Sequence, residues 1–290
     1  RRAKAVSQLL SPQLKENFTI TSLTSQGEEN PLNNNQSKQQ QALNRRVTII
    51  FSPQAIALNQ VTLSGSGSTL LVNEQQRLVI WDTQAQCPQS ILPINNEKIY
   101  ASAIAPNGRL VLSGGEAKQL TLWDMATTSP LFQLAGHQAP ITALAFSTSS
   151  RLVISGSMDR QVKLWDLTKQ SEMFSLLHHQ ATITAVALSD NGKYAASADT
   201  SGKVILWNLL AQAMVSSVKA HKTQVSDLKF TSDNNTLISS GQDHQLHLWQ
   251  LADQETGKKE QKIHFNSQLN SAVTSFDISA DNRRILAAYE

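Results

Sequence analysis

Ser113, Ser155, Ser197 and Ser239 each stand ten residues before a tryptophan, with histidines and aspartates spread among them. Serine, histidine and a carboxylate together are what a hydrolase uses to activate a hydroxyl. Here the grouping recurs at a fixed period, and an enzyme has no use for one triad per repeat. Two histidine pairs raise metal binding. His178 and His179 are neighbours, and His244 and His247 are three apart. On a strand both spacings put the two rings on opposite faces. Neither pair has metal-ligand geometry, so surface or strand-filling roles are expected, with no metal and no cofactor. The single cysteine, Cys87, has no basic or histidine-rich surroundings and reads as a loop thiol. One cysteine excludes an internal disulfide or a cysteine metal cage.

The elements that carry these residues follow from the tryptophans, at 81, 123, 165, 207 and 249, every interval being 42. Each ends a near-identical phrase: LVIWDT, LTLWDM, VKLWDL, VILWNL, LHLWQL. The residues one and three before Trp are apolar, so Trp and the residue two before it share the other strand face. A second apolar run (RLVISGS, NTLISSG) holds the serines. A third (ITALAFS, ITAVALS, VSDLKFT) comes earlier. Turn formers, SDNGK at 189–193 and SDNN at 232–235, separate the two. Each unit is at least three short strands, with room for a fourth after Trp. A period in the low forties points to a β-propeller array.

The chain resembles the WD-repeat family through Gly136-His137 and Trp165-Asp166 in LAGHQAPITALAFSTSSRLVISGSMDRQVKLWDL. The resemblance implies a hydrogen-bonded set of His, strand Ser, turn Asp and Trp in each blade. The matching residues are His137, Ser155, Asp159 and Trp165, and again His221, Ser239, Asp243 and Trp249. The repeat between keeps His179, Ser197 and Trp207, with Ser201 where Asp is expected. The first two repeats lack the His and the Asp. AVTSFDISADNRRILAAYE repeats QVSDLKFTSDNNTLISSGQ at an offset of 48, the extra residues falling around the polar loop DQETGKKEQK. The next Trp would lie past Glu290. The expected fold is mainly β: an incomplete WD-repeat propeller over 55–290, five full repeats and a partial sixth, from a ring of about seven blades.

Residues 1–51 do not fit the repeat. They hold seven Lys/Arg against three Glu, a net +4, leaving −1 for the remainder. The repeats therefore have no basic stripe of the kind a nucleic-acid-binding body needs. The segment reads as a helix (2–11), a strand (Phe18 to Leu23), a Gly27–Pro31 turn, a polar tract, a short helix ending ALNRR, and a strand (Val47 to Phe51). Arg2-Ala3 with Val6 and Leu10, QGEENPL (26–32) and NRRVTIIF (44–51) resemble the C-terminal half of the OmpA-like domain, the peptidoglycan-binding module of bacterial envelope proteins. The resemblance implies a partial α/β domain over 1–51 and assigns Arg2 to the diaminopimelate carboxylate of the peptide stem, where a planar guanidinium matches a carboxylate. Ser25 and Gln40-Gln41 depart from the family pattern. Ser52-Pro53-Gln54 is the expected linker.

Three functions are consistent with these residues. The first is a non-enzymatic envelope scaffold on the periplasmic side of the outer membrane, with peptidoglycan held by the first segment and proteins by the propeller. The second is a WD-repeat interaction scaffold inside the cell, without wall binding. The third, a propeller enzyme, needs acidic or histidine groups converging from several blades. The residues two before each Trp (Val79, Thr121, Lys163, Ile205, His247) are unlike one another and form no such column. No apolar run approaches the length of a membrane span.

Overall fold

The computed structural model describes residues 20–25, 47–51, 60–251, 261–263 and 272–289, apart from 66, 75, 76, 86, 95, 96, 280, 281 and 283. Arg2, the expected helix over 2–11, the Gly27–Pro31 turn, the short helix ending ALNRR, the linker at 52–54 and most of DQETGKKEQK lie outside the described residues. The two strands expected in the first segment form as β1 (Ile20–Ser25) and β2 (Val47–Phe51). They pair antiparallel, Ile20 opposite Phe51 and Ser25 opposite Val47.

The period then becomes a series of antiparallel four-stranded sheets, each strand beside the next in sequence. Blade 1 is β3 (Gln60–Leu63), β4 (Thr69–Asn73), β5 (Leu78–Asp82) and β6 (Cys87–Leu92). Blade 2 is β7 (Ile99–Ile104), β8 (Leu110–Gly115), β9 (Gln119–Asp124) and β10 (Ser129–Ala135). Blade 3 is β11 (Ile141–Phe146), β12 (Leu152–Ser157), β13 (Val162–Asp166) and β14 (Ser171–Leu176). Blade 4 is β15 (Ile183–Leu188), β16 (Tyr194–Asp199), β17 (Lys203–Asn208) and β18 (Ala213–Lys219). Blade 5 is β19 (Val225–Phe230), β20 (Thr236–Gly241), β21 (Leu246–Gln250) and β22 (Gln261–Ile263). A sixth sheet holds β23 (Val273–Ile278) and β24 (Ile285–Tyr289). The fourth strand of each complete blade is the one for which the sequence left room. Cys87 is half-buried at the start of β6. Among the described residues no helix is long and apolar enough to cross a membrane.

Turns repeat as faithfully as strands. Asp82, Asp124, Asp166 and Asn208 follow the tryptophans, and each carries a side-chain oxygen that accepts N–H groups of the next turn, as from Ala126 and Thr127 to Asp124. This is the physical use of the Asp in the Trp-Asp pair: it closes the third hairpin as an Asx turn. In the first hairpin a hydroxyl does the same work. Ser147, Ser189 and Thr231 accept from the N–H five residues on, at 2.9–3.0 Å. Left-handed backbone recurs at Ser150, Gly192 and Asn234 in those turns, the last two within the segments SDNGK and SDNN.

The core lies between sheets. Val162 and Leu164 of β13 pack with Ile183, Val186 and Trp207 of blade 4, whereas Trp165 packs back against Leu112, Leu120 and Leu122 of blade 2. Every residue of β13 is buried. The alternation in VKLWD thus divides two interfaces, where a one-sided sheet would divide core from solvent. The same arrangement joins blades 1 to 2, 4 to 5 and 5 to 6. First strands adjoin first strands along the array, β7 with β11, β11 with β15, and β15 with β19.

Close approach of the blades rests on small residues near the ends of the second strands. A Cβ on Gly156 would stand 2.3 Å from Ile183 Cγ2, and one on Gly114 2.9 Å from Ile141 Cγ2. Blade 4 has Ala198 at this position, and the facing residue shrinks to Val225; both lie in one cluster. Small and large are traded one methyl at a time. Gly156→Ala should therefore overpack the blade 3–4 interface and cost about 1–3 kcal/mol. Adding Ile183→Val, which keeps Cγ2 but without Cδ1 lets the side chain turn away from the new methyl as in the Ala198–Val225 pair, should recover part of that loss in a urea denaturation midpoint. Equal stability of the single and double variants would refute the pairing.

Candidate functional site

The expected sets of serine, histidine, aspartate and tryptophan assemble in blades 3 to 5. In blade 3, Ser155 lies on β12 opposite Lys163, one diagonal step from Trp165 on β13. Trp165 Nε1 donates to Ser155 Oγ at 2.8 Å. His137, in the connection from β10 to β11, stands with Nε2 2.7 Å from Ser155 Oγ and Nδ1 2.8 Å from Asp159 Oδ2. Only one assignment of protons satisfies the chain. The indole N–H feeds the serine oxygen, the serine hydroxyl feeds Nε2, and the Nδ1 hydrogen goes to the carboxylate. Asp159 also accepts from the N–H of Gln138 and of Gln161, each at 2.9 Å. Gly136 precedes His137 because the Trp165 ring needs the space; a Cβ there would meet Trp165 Cη2 at 2.9 Å.

Blade 5 repeats the set. His221 bridges Ser239 at 2.9 Å and Asp243 at 2.8 Å, and Trp249 donates to Ser239 at 3.1 Å. Blade 4 corrects one expectation. Ser201 leaves no gap in that relay, because His179 Nδ1 bonds Asp199 Oδ2 at 2.7 Å while Nε2 meets Ser197 at 2.7 Å. Trp207 donates to Ser197 at 2.8 Å. Blade 3 has Ser157 and Asp159; blade 4 has Asp199 and Ser201. The two residues have exchanged places, and the hydroxyl follows: Asp159 N donates to Ser157 Oγ at 3.1 Å, whereas Ser201 Oγ donates to Asp199 Oδ1 at 2.6 Å. The carboxylate reaches the imidazole from either side of the turn.

In blade 2 the Trp123–Ser113 bond survives at 2.8 Å, without the histidine. In blade 1 the pairing is shifted by one residue: Val72, opposite Val79, stands in the serine position, and Leu71, opposite Ile80, is fully buried on the face toward blade 2. His178 is exposed and its ring stands edge-on to Trp207, with centroids 5.6 Å apart. His244 is exposed and His247 buried, as their spacing implies. The residues two before each Trp are all buried and share the tryptophan face. Lys163 is satisfied there by Glu172, at 2.8 and 2.9 Å, and by Ser175 at 2.7 Å.

Charge within the blade 3 relay favours neutral imidazole, and in all three relays the carboxylate is ionised. Burial pushes the His137 imidazole below its ordinary value, outweighing the opposing pull of Asp159. Burial works against the Asp159 and Asp243 carboxylates, yet backbone N–H groups and the facing histidines hold both below the usual range. Asp199, against the same penalty, is brought down to about 2 by His179, Ser201 and Lys203. Ser155, Ser197 and Ser239 are completely buried. Each hydroxyl is spent between an indole and an imidazole, so these constellations hold blades together and present no nucleophile.

Stacked four-stranded sheets with such relays define a β-propeller type of repeat array. The family model described as WD domain, G-beta repeat matches residues 86–124, 128–166, 170–208 and 212–250, together more than half of the chain. The chain belongs to the WD-repeat family. No curated protein matches it. Each matched segment runs from the fourth strand of one blade through the first three strands of the next.

Two outcomes follow. Asp199→Ser should remove the blade 4 carboxylate and strand His179, at about 1–3 kcal/mol. Adding Ser201→Asp rebuilds the blade 3 order and should restore most of the lost stability in chemical denaturation; no recovery would show the exchange to be incidental. Acid stability follows from the sign of the shifts. The folded chain binds fewer protons than the unfolded one wherever a histidine or aspartate is depressed, so stability falls with pH. The His137 contribution is present above about pH 6.5 and lost as pH drops below it; the aspartate contributions are lost below about pH 4. A melting-temperature series should show His137→Gln flatter than the parent between pH 6.5 and 5, and identical slopes would contradict the assignment.

Proposed function

We propose that this protein is a non-enzymatic scaffold of the bacterial cell envelope, on the periplasmic side of the outer membrane. WD repeats are protein-interaction scaffolds, and the propeller binds proteins. The observation that carries the scaffold reading is the fate of the Ser–His–Asp groups. All three are consumed inside the sheet stack, with the serine hydroxyls at zero exposure. Function is left to the surface, which varies between blades while the interior repeats.

Attachment to the wall rests on the likeness of residues 1–51 to the OmpA-like domain. Its support is the order of the three sequence blocks and the two strands, β1 and β2, that fall between and within them. In this reading Arg2 grips the stem carboxylate of peptidoglycan, and Arg45 and Arg46 serve as surface charge. The propeller, carried beside that anchor, holds its partner close to the wall.

Co-sedimentation of the full chain with purified sacculi tests the anchor. Arg2→Ala removes a charge-assisted bond worth about 1.5–3 kcal/mol, so retention should fall roughly tenfold or more. A parent chain that stays in the supernatant would leave a WD-repeat interaction scaffold without wall binding.

A further inference from the structure

Blade 5 departs from its neighbours at two positions at once. Where blade 3 has Ser157 and blade 4 has Asp199, blade 5 has Gly241. Where they have Lys163 and Ile205, it has His247. The changes meet in space. A Cβ on Gly241 would stand 2.5 Å from His221 Nδ1 and 2.8 Å from Asp243 Oδ1. The imidazole and the carboxylate therefore occupy room that a side chain takes in the other two blades. On the other side His247 is buried against them, its ring centroid 4.6 Å from that of His221. Ligand atoms of His221, Asp243 and His247 all lie within 4.8 Å of one another.

We propose that His221, Asp243 and His247 form a zinc site. Two imidazoles and a carboxylate are ordinary zinc ligands, and three protein ligands leave a fourth tetrahedral position for water. Ligand atoms on a tetrahedral zinc stand about 3.3 Å apart, given metal–ligand bonds of about 2.0–2.1 Å. His221 Nδ1 and Asp243 Oδ1 are already 2.8 Å apart, and rotation of the His247 ring closes the remaining distance. The metal takes the place of the hydrogen shared by Nδ1 and the carboxylate. His221 stays neutral: its hydrogen moves to Nε2, which then donates to Ser239 Oγ in the contact held at 2.9 Å, and the Ser239 hydroxyl turns its own hydrogen away from the ring. That bond fixes the ring and supports the ligand from behind. Asp243 is held in turn by the Lys222 N–H at 2.9 Å on its other oxygen. Asp243 lies in the β20–β21 turn between the exposed Gln242 and His244, at the solvent end of the set. Among the described residues no other blade brings together these three groups.

In this blade zinc replaces the shared hydrogen of a relay that also closes without it. The site ties the loop entering β19 to the turn and strand that follow β20, so zinc should stiffen blade 5 alone.

Calorimetric titration of the metal-stripped full chain with zinc chloride at neutral pH is the test, with cobalt as a spectroscopic probe. Zinc should bind at one equivalent, raise the melting temperature, and weaken as pH falls through the histidine range. Cobalt should give the intense visible bands of a tetrahedral site. His247→Ile copies Ile205 of blade 4, where the relay is intact, so it should fold normally in chelator and bind zinc at least about tenfold more weakly. His247→Gln, which keeps a polar group, serves if the apolar variant fails to fold. Absence of saturable zinc binding by the parent, or unchanged affinity in whichever variant folds, would overturn the site.

Discussion

A four-stranded sheet of this sequence has no core of its own. Both faces of β13 are apolar or must be buried, and only adjacent sheets can cover them. Everything else in the molecule answers to that constraint. Each buried leucine, isoleucine or valine contributes roughly 1.5–3 kcal/mol, so the clusters between blades supply most of the stability. A relay bond contributes about 0.5–1.5 kcal/mol. Burial thus decides that blades stack, and the relays decide how. An indole N–H and a serine hydroxyl caught between sheets have to be satisfied, and only one relative placement of loop, strand and turn satisfies them together.

The relays also show how much freedom that requirement leaves. Blade 3 takes its carboxylate from Asp159 and blade 4 from Asp199, two residues earlier. Blade 2 stops at the serine, and blade 1 has the apolar Val72 in the serine position and avoids the polar problem altogether. A shorter set stands when each member keeps a partner, as Trp123 and Ser113 do; a histidine without its carboxylate would leave a buried orphan. The position two before Trp obeys the same rule. Lys163 is tolerated in the interior because Glu172 and Ser175 meet it.

Much of this was legible in the residues themselves. The interval of 42 located every blade, the serine ten before Trp located the middle of each relay, and SDNGK and SDNN located first-hairpin turns. What stayed hidden has a common cause. Asp199 escaped because a turn brings either of its two flanking positions to the same point, so spacing alone cannot say which residue supplies the charge. The approach of His247 to His221 escaped because it joins a strand to a loop 26 residues earlier in the chain, and strand alternation speaks only of near neighbours. The Asp after three of the five tryptophans was visible as a motif, but its part in closing a turn appears only from its hydrogen bonds. The proposed wall-binding segment, 1–51, lies mostly outside the described residues, apart from β1 and β2.

The offset between matched segment and sheet has a consequence for how such a chain can change length. Because each segment runs from the last strand of one blade into the first three of the next, every complete blade between matches is stitched from two segments. Duplicating or excising one period in the gene therefore breaks the chain only in the turn of the third hairpin and leaves no lone strand. It joins the fourth strand of one ancestor to the third of another, across a pairing that tolerates exchange because its hydrogen bonds run through the backbone. Arrays built this way can gain or lose members while every intermediate still folds, and the surfaces they present can diversify one blade at a time.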